Sequence, residues 1–172
     1  NDDMSTAVFD GNSIQTIKTG GTGNEKRFYN LQINKTAGSV ILSSPLEVNN
    51  NFTITAGTFN ANGQSMSVAN NWTNTGTFIP GGNTVTFDAQ SVGPFTITGG
   101  GSVFHHILLN TGNDANTYRL GSNLQATGNL TITHGVLNAN GFDIDIDGSL
   151  TNSRTFTAGP ATSVGGNWTN TG

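Results

Sequence analysis

The sequence predicts an all-β protein: a single-stranded parallel β-helix, right-handed, of about nine coils with roughly 18–22 residues each. Three observations predict it. Apolar and polar residues alternate strictly in short stretches, Gly and Asn corners separate those stretches, and the whole pattern recurs at a near-constant step along the chain.

The alternation comes first. Leu46-x-Val48, Phe52-x-Ile54, Met66-x-Val68 and Val85-x-Phe87 each place apolar side chains at i and i+2, the period of a strand with one buried face. Between them stand Ala56-Gly57, Asn62-Gly63, Gly81-Gly82, Gly99-Gly100-Gly101 and Asn140-Gly141, residues that accept the positive φ of a tight bend. No apolar stripe at helical spacing lasts beyond one turn, so no helix of any length is expected.

The recurrence has two levels. Residues 52–68, "FTITAGTFNANGQSMSV", align without a gap to 130–146, "LTITHGVLNANGFDIDI", at an offset of 78 that holds from Leu46 opposite Leu124 to Phe78 opposite Phe156. Phe9 opposite Phe87 keeps that offset, while Phe28 opposite Phe104 shifts it to 76. Inside this long unit runs a short step, which takes Phe52 to Trp72, Phe59 to Phe78, and Leu130 through Leu150 to Trp168. Four short steps are expected to fill one long unit. A β-sandwich offers no reason for a fixed step of this kind, whereas a solenoid needs one circuit per step with like residues stacked in columns. The right hand is assigned by analogy with β-helices of this coil length.

Composition agrees with a thin core. Only 33% of the residues are hydrophobic and 9% charged, with 24 Gly, against about 45–50% apolar and 25% charged in ordinary domains. A net charge of −4 with six scattered Lys and Arg gives no basic footprint for nucleic acid. Cysteine is absent, which removes disulfides, thiol nucleophiles and Cys-ligated zinc. No run of about 18 apolar residues occurs, so no membrane-spanning helix is predicted.

With these residues in place, "NNWTNTGTF" (70–78), "TVTFDAQS" (84–91), "FTITGGGSVFHHILLN" (95–110) and "LTITHGVLNANG" (130–141) resemble the repeats of very large bacterial surface proteins of the adhesin-like and autotransporter-like β-helical kind. One cycle of that pattern covers residues 8–83 and another 85–172. The resemblance implies export to the cell surface, a fibre-like architecture and no catalytic machinery. The Trp of the repeated phrase is replaced by Leu at Leu150, which points to packing rather than recognition at that column.

Candidate sites are weighed against packing. Trp72 and Trp168 would suit sugar stacking, yet their expected column also holds Phe52, Leu130 and Leu150, so core packing is favoured. Asp143, Asp145 and Asp147 set three carboxylates on one strand face, a chemistry that suits calcium, although no EF-hand or glycine-rich calcium repeat accompanies them and a solvated face is favoured. His105 and His106 are adjacent on a strand and are expected to point to opposite faces, so that they cannot chelate one metal together without a third partner; His134 stands alone on a corner. Asn34, Asn51, Asn71, Asn129 and Asn167 begin Asn-x-Thr triplets, read as amide ladders between coils ahead of glycosylation acceptors. Thr53/Thr55, Thr84/Thr86, Thr96/Thr98, Thr131/Thr133 and Thr155/Thr157 raise an ice-binding reading, but they do not recur at one position in successive coils.

A polysaccharide-cleaving β-helix enzyme would need clustered carboxylates or cations beside a groove. Glu occurs only at Glu25 and Glu47, Arg27, Arg119 and Arg154 are far apart in sequence, and the one long corner runs from Asn110 to Tyr118. No catalytic residue, cofactor or metal is therefore expected. The chain is read as one continuous solenoid over residues 1–172, with long repeats at about 8–83 and 86–163 and a partial coil at 164–172. The expected role is an extracellular fibre or stalk segment. Its expected partners are further coils of the same parent chain, identical subunits stacked head to tail, or glycans, since neither end shows a polar cap.

Overall fold

The computed structural model describes residues 4–20 and 26–172, and within them the chain forms twenty strands and no helix. Glu25 and the opening Asn1–Asp3 lie outside the described residues. The strands stack in parallel as a β-solenoid of eight coils, each coil passing through three faces. The first coil holds β1 (Thr6–Phe9), β2 (Gln15–Ile17) and Phe28. The second holds β3 (Asn30–Leu42), which bends through faces 1 and 2, and β4 (Leu46–Val48); the third repeats this with β5 (Phe52–Asn60) and β6 (Met66–Val68). The fourth is β7 (Trp72–Asn74), β8 (Thr77–Ile79) and β9 (Thr84–Phe87). In the fifth, β10 (Phe95–Thr98) and β11 (His106–Asn110) flank Phe104, which alone bridges on face 2. The last three coils are complete: β12 (Thr117–Leu120), β13 (Leu124–Ala126), β14 (Leu130–His134); β15 (Val136–Asn138), β16 (Ile144–Ile146), β17 (Leu150–Asn152); and β18 (Thr155–Thr157), β19 (Thr162–Val164), β20 (Trp168–Asn170).

Inward side chains stack in columns. On face 3, Leu46, Met66, Val85, Ile107, Leu130, Leu150 and Trp168 are register partners. Rings fill the middle of the rod: Trp72 lies 4.7 Å from Phe52, 5.0 Å from Phe78 and 5.1 Å from Phe104, centroid to centroid. Because each coil closes only on its neighbours, this column packing and the ladders between coils carry the stability.

Eight coils replace the nine expected, because the coils joined by the long corners at 88–94 and 110–116 take more of the chain. On face 3, Val85 is followed by Ile107 and Ile107 by Leu130, both steps longer than the one from Met66 to Val85.

The larger correction concerns the long unit. It does not equal four coils. Leu46 sits on face 3 and its repeat mate Leu124 on face 2; Phe52 sits on face 1 and Leu130 on face 3; Phe59 sits on face 2 and Leu137 on face 1. One long unit thus makes three turns and two-thirds of a fourth, and the next copy is rotated by one face. Trp72 accordingly pairs with Phe52 and Ile97 on face 1, whereas Trp168 pairs with Leu150 on face 3.

The corner chemistry explains why rotation is tolerated. Asn62-Gly63 turns the chain from face 2 to face 3, with φ of 51° and 73°; Asn140-Gly141 turns it from face 1 to face 2, with φ of 53° and 85°. Asn62 Nδ2 donates to the Leu42 carbonyl at 3.2 Å and Asn140 Nδ2 to the Leu120 carbonyl at 3.1 Å. The same strand-and-corner segment fits two different corners of the triangle, so the segment, and not the coil, is the unit that repeats.

Candidate functional site

Polar side chains concentrate on the seam where face 3 turns into face 1. Here a cavity of about 520 Å³ is lined by Arg27, Glu47, Asn49, Asn70, Asp88 and Gln90, among others. Glu47 projects outward from the middle of β4, between the buried Leu46 and Val48. Arg27 Nη1 stands 3.7 Å from Glu47 Oε1. In the carboxamide orientation that matches donors to acceptors, Arg27 Nε donates to Asn49 Oδ1 at 2.6 Å and Asn49 Nδ2 donates to Glu47 Oε1 at 3.0 Å.

Asp88 follows β9 at the same seam, and burial, with the Glu47 charge second, pushes its carboxyl up to about 6 against an opposing hydrogen bond from Ser67. The sign follows from linkage: a carboxyl raised in the folded state stabilises below its ordinary value of 3.8, and that contribution is lost as pH rises through about 6. Asp88→Asn is therefore expected to be more stable than the parent at neutral pH by on the order of 1–2 kcal/mol, discounted for partial exposure. The gap should close by about pH 4, as read by urea unfolding at both pH values. A constant gap would remove Asp88 as its cause.

Below the cavity, Tyr118 is fully buried. Its hydroxyl donates to the Ala69 carbonyl at 2.5 Å and accepts from the Ala89 N–H at 3.3 Å. Burial pushes the phenol up, so it stays protonated and ties the third, fourth and sixth coils together. Farther along the seam Asp114, His134 and Arg154 follow one another in consecutive coils. Asp114 Oδ1 is 2.8 Å from His134 Nδ1 and 3.0 Å from Arg154 Nε, and these two partners, His134 foremost, hold the Asp114 carboxyl below its usual range.

The other sequence candidates fall as follows. Trp72 is wholly buried, and its indole Nε1 has no acceptor among the described residues, as suits packing; Trp168, in the last coil, is 49% exposed. Asn51 and Asn71 form an amide ladder, the Asn71 N–H and Nδ2 both donating to Asn51 Oδ1 (3.2 and 2.8 Å), whereas Asn71 Oδ1 and Asn129 Oδ1 accept the backbone N–H groups of Thr96 and Ser149 in the next coil. Asn34 lies exposed at a bulge in β3, and Asn167 enters the series through its own N–H, donated to Ser149 Oγ.

Asp143 belongs to a similar series, its Oδ1 accepting the Ala161 N–H at 3.0 Å, while Asp145 stacks between Gln125 and Ser163. The Thr-x-Thr pairs divide between faces, 53/55, 96/98 and 155/157 on face 1 and 84/86 and 131/133 on face 3.

His105 and His106 require a correction. Their rings do not point to opposite faces; they pack 4.2 Å apart, because the pair sits at the corner entering β11 and not within a straight strand. His106 Nδ1 accepts the Asn129 N–H at 2.9 Å, while burial and then His105 hold its pKa down.

The cavity is what sequence reasoning missed. Arg27, Glu47 and Asp88 are scattered along the chain, yet Glu47 follows Arg27 by one coil and Asp88 follows Glu47 by two. Matching their separations to the coil step could have found them. Comparison of the chain with family models, with curated proteins and with solved structures finds no match.

Proposed function

We propose that the chain is a stiff structural segment, a stalk or fibre portion of an extracellular bacterial surface protein, whose parallel coils extend end to end and hold other modules away from the cell. The observation that carries this reading is the rotation of the long repeat by one face. A rod that reads an extended ligand, such as ice or a polymer, aligns like residues in a rank on one face. Here repeat-mate residues are distributed around the rod, and outward Thr align in short runs on different faces, Thr53-Thr73-Thr98 on face 1 and Thr131-Thr151-Thr169 on face 3, neither of which spans the eight coils. Eight coils at the usual strand spacing give a rod of about 34 Å between its outermost strands, and stacking further coils of the parent chain or an identical subunit lengthens it.

A second reading, glycan binding, is favoured by one feature only, the cavity with Arg27, Glu47, Asn49 and Asp88. A glycan array together with an ice-recrystallisation assay separates the two. The structural reading expects no retained glycan and unchanged ice grain growth. A glycan retained by the parent chain and lost in Asp88→Asn would move the assignment to the cavity, and inhibited grain growth would move it to a Thr-bearing face.

A further inference from the structure

We infer that Asn140-Gly141 is a site of spontaneous covalent modification, by deamidation, from which its repeat mate Asn62-Gly63 is protected. In an Asn-Gly pair the glycine backbone nitrogen attacks the preceding Asn Cγ. The new N–C bond closes a succinimide, the amide nitrogen leaves as ammonia, and water then opens the ring to aspartate or isoaspartate. The step needs a glycine nitrogen free to move onto Cγ.

The two pairs are matched in every local respect. Each Asn is exposed, each has positive φ, and each closes the same turn: Gln64 N–H donates to the Ala61 carbonyl at 2.8 Å and Phe142 N–H to the Ala139 carbonyl at 2.9 Å. They differ at the nucleophile. Gly63 N–H donates to the Pro80 carbonyl of the next coil at 3.2 Å, and Gly81 covers it, its carbonyl lying 2.9 Å from where a Gly63 Cβ would stand. Gly141 N–H makes no such bond among the described residues, and nothing lies within 4 Å of its Cβ position. The sequence of the next coil's corner accompanies the difference: Ile79-Pro80-Gly81-Gly82 lies over Asn62-Gly63, and Thr157-Ala158-Gly159-Pro160 over Asn140-Gly141.

The product matters to the rod. Asn140 Nδ2 is the donor that fastens this corner to the Leu120 carbonyl. Aspartate would set a carboxylate against that carbonyl, and isoaspartate would add a backbone carbon to a turn of fixed register.

The full chain, incubated folded in mildly alkaline buffer and sampled by peptide mapping with mass spectrometry, tests this. Asn140 is expected to convert about fivefold faster than Asn62, the effect of one backbone hydrogen bond that must first break. In urea-unfolded chain the two rates should converge. Equal rates in the folded chain, faster conversion of Asn62, no conversion of Asn140 while the unfolded control converts, or a difference that persists in urea would each overturn the inference.

Discussion

Trp72→Ala lowers the stability of the rod by about 3–5 kcal/mol, while Trp168→Ala changes it by less than about 1 kcal/mol. The two tryptophans stand in the same phrase, "NWTNTG", but in different surroundings. Trp72 has no exposed surface and touches rings from four positions, Phe52, Phe78, Phe87 and Phe104. Truncation leaves a cavity that stacked strands on three sides cannot collapse to fill. Trp168 is half exposed and meets Phe156 at 5.9 Å. Urea unfolding followed by far-ultraviolet circular dichroism reads both. Equal losses would show that the phrase, and not its place in the rod, determines the packing.

Gly57→Ala should cost nearly as much. Gly57 has φ of 77°, and a Cβ there would stand 2.8 Å from the Lys35 carbonyl oxygen and closer still to the Lys35 Cβ. The left-handed backbone contributes about 1–2 kcal/mol and the forced shift of packed atoms about 1–3 kcal/mol. Lys35 has little room to yield. It is 1% exposed, and its Nζ donates to the Ser13 carbonyl at 2.6 Å and to Gln15 Oε1 at 2.8 Å, fastening the first coil to the second. Gly82→Ala is the control: its φ is 85°, but nothing lies within 4 Å of a Cβ there. It should lose only the backbone contribution, and equal losses at both positions would remove the steric part of the explanation.

Strand positions and corner residues were legible in the sequence because both are local. Alternation at Leu46-x-Val48 or Met66-x-Val68 reports a buried face without reference to the rest of the chain, and Asn62-Gly63 and Asn140-Gly141 carry the positive φ that their sequence demands. The interior Asn ladder was legible for the same reason. Which strand lies under which was not. Sequence similarity aligned Phe52 with Leu130, whereas closure of the triangle depends on how many residues each corner takes. The long corners at 88–94 and 110–116 put Ile97 beside Trp72 and Ile107 beside Leu130. The cavity was hidden with it, since Arg27, Glu47 and Asp88 meet only once coil lengths are known. The His105–His106 contact was hidden because a corner breaks the alternation that a straight strand would impose.

The register of the fifth coil separates a rotated repeat from a constant coil step. A constant coil step, like the one that separates Thr53 from Thr73, would set the next partner of Thr73 near Val92, whereas the rotated repeat sets it at Thr98. The native chain has no cysteine, so two double-cysteine variants, Thr73→Cys/Thr98→Cys and Thr73→Cys/Val92→Cys, can be compared with a short thiol-reactive crosslinker and peptide mapping. Adjacent parallel strands lie about 4.8 Å apart. The 73/98 pair is expected to crosslink rapidly and within one chain, and the 73/92 pair to stay unlinked. Rapid linkage of 73/92 with none at 73/98 would contradict the rotated solenoid.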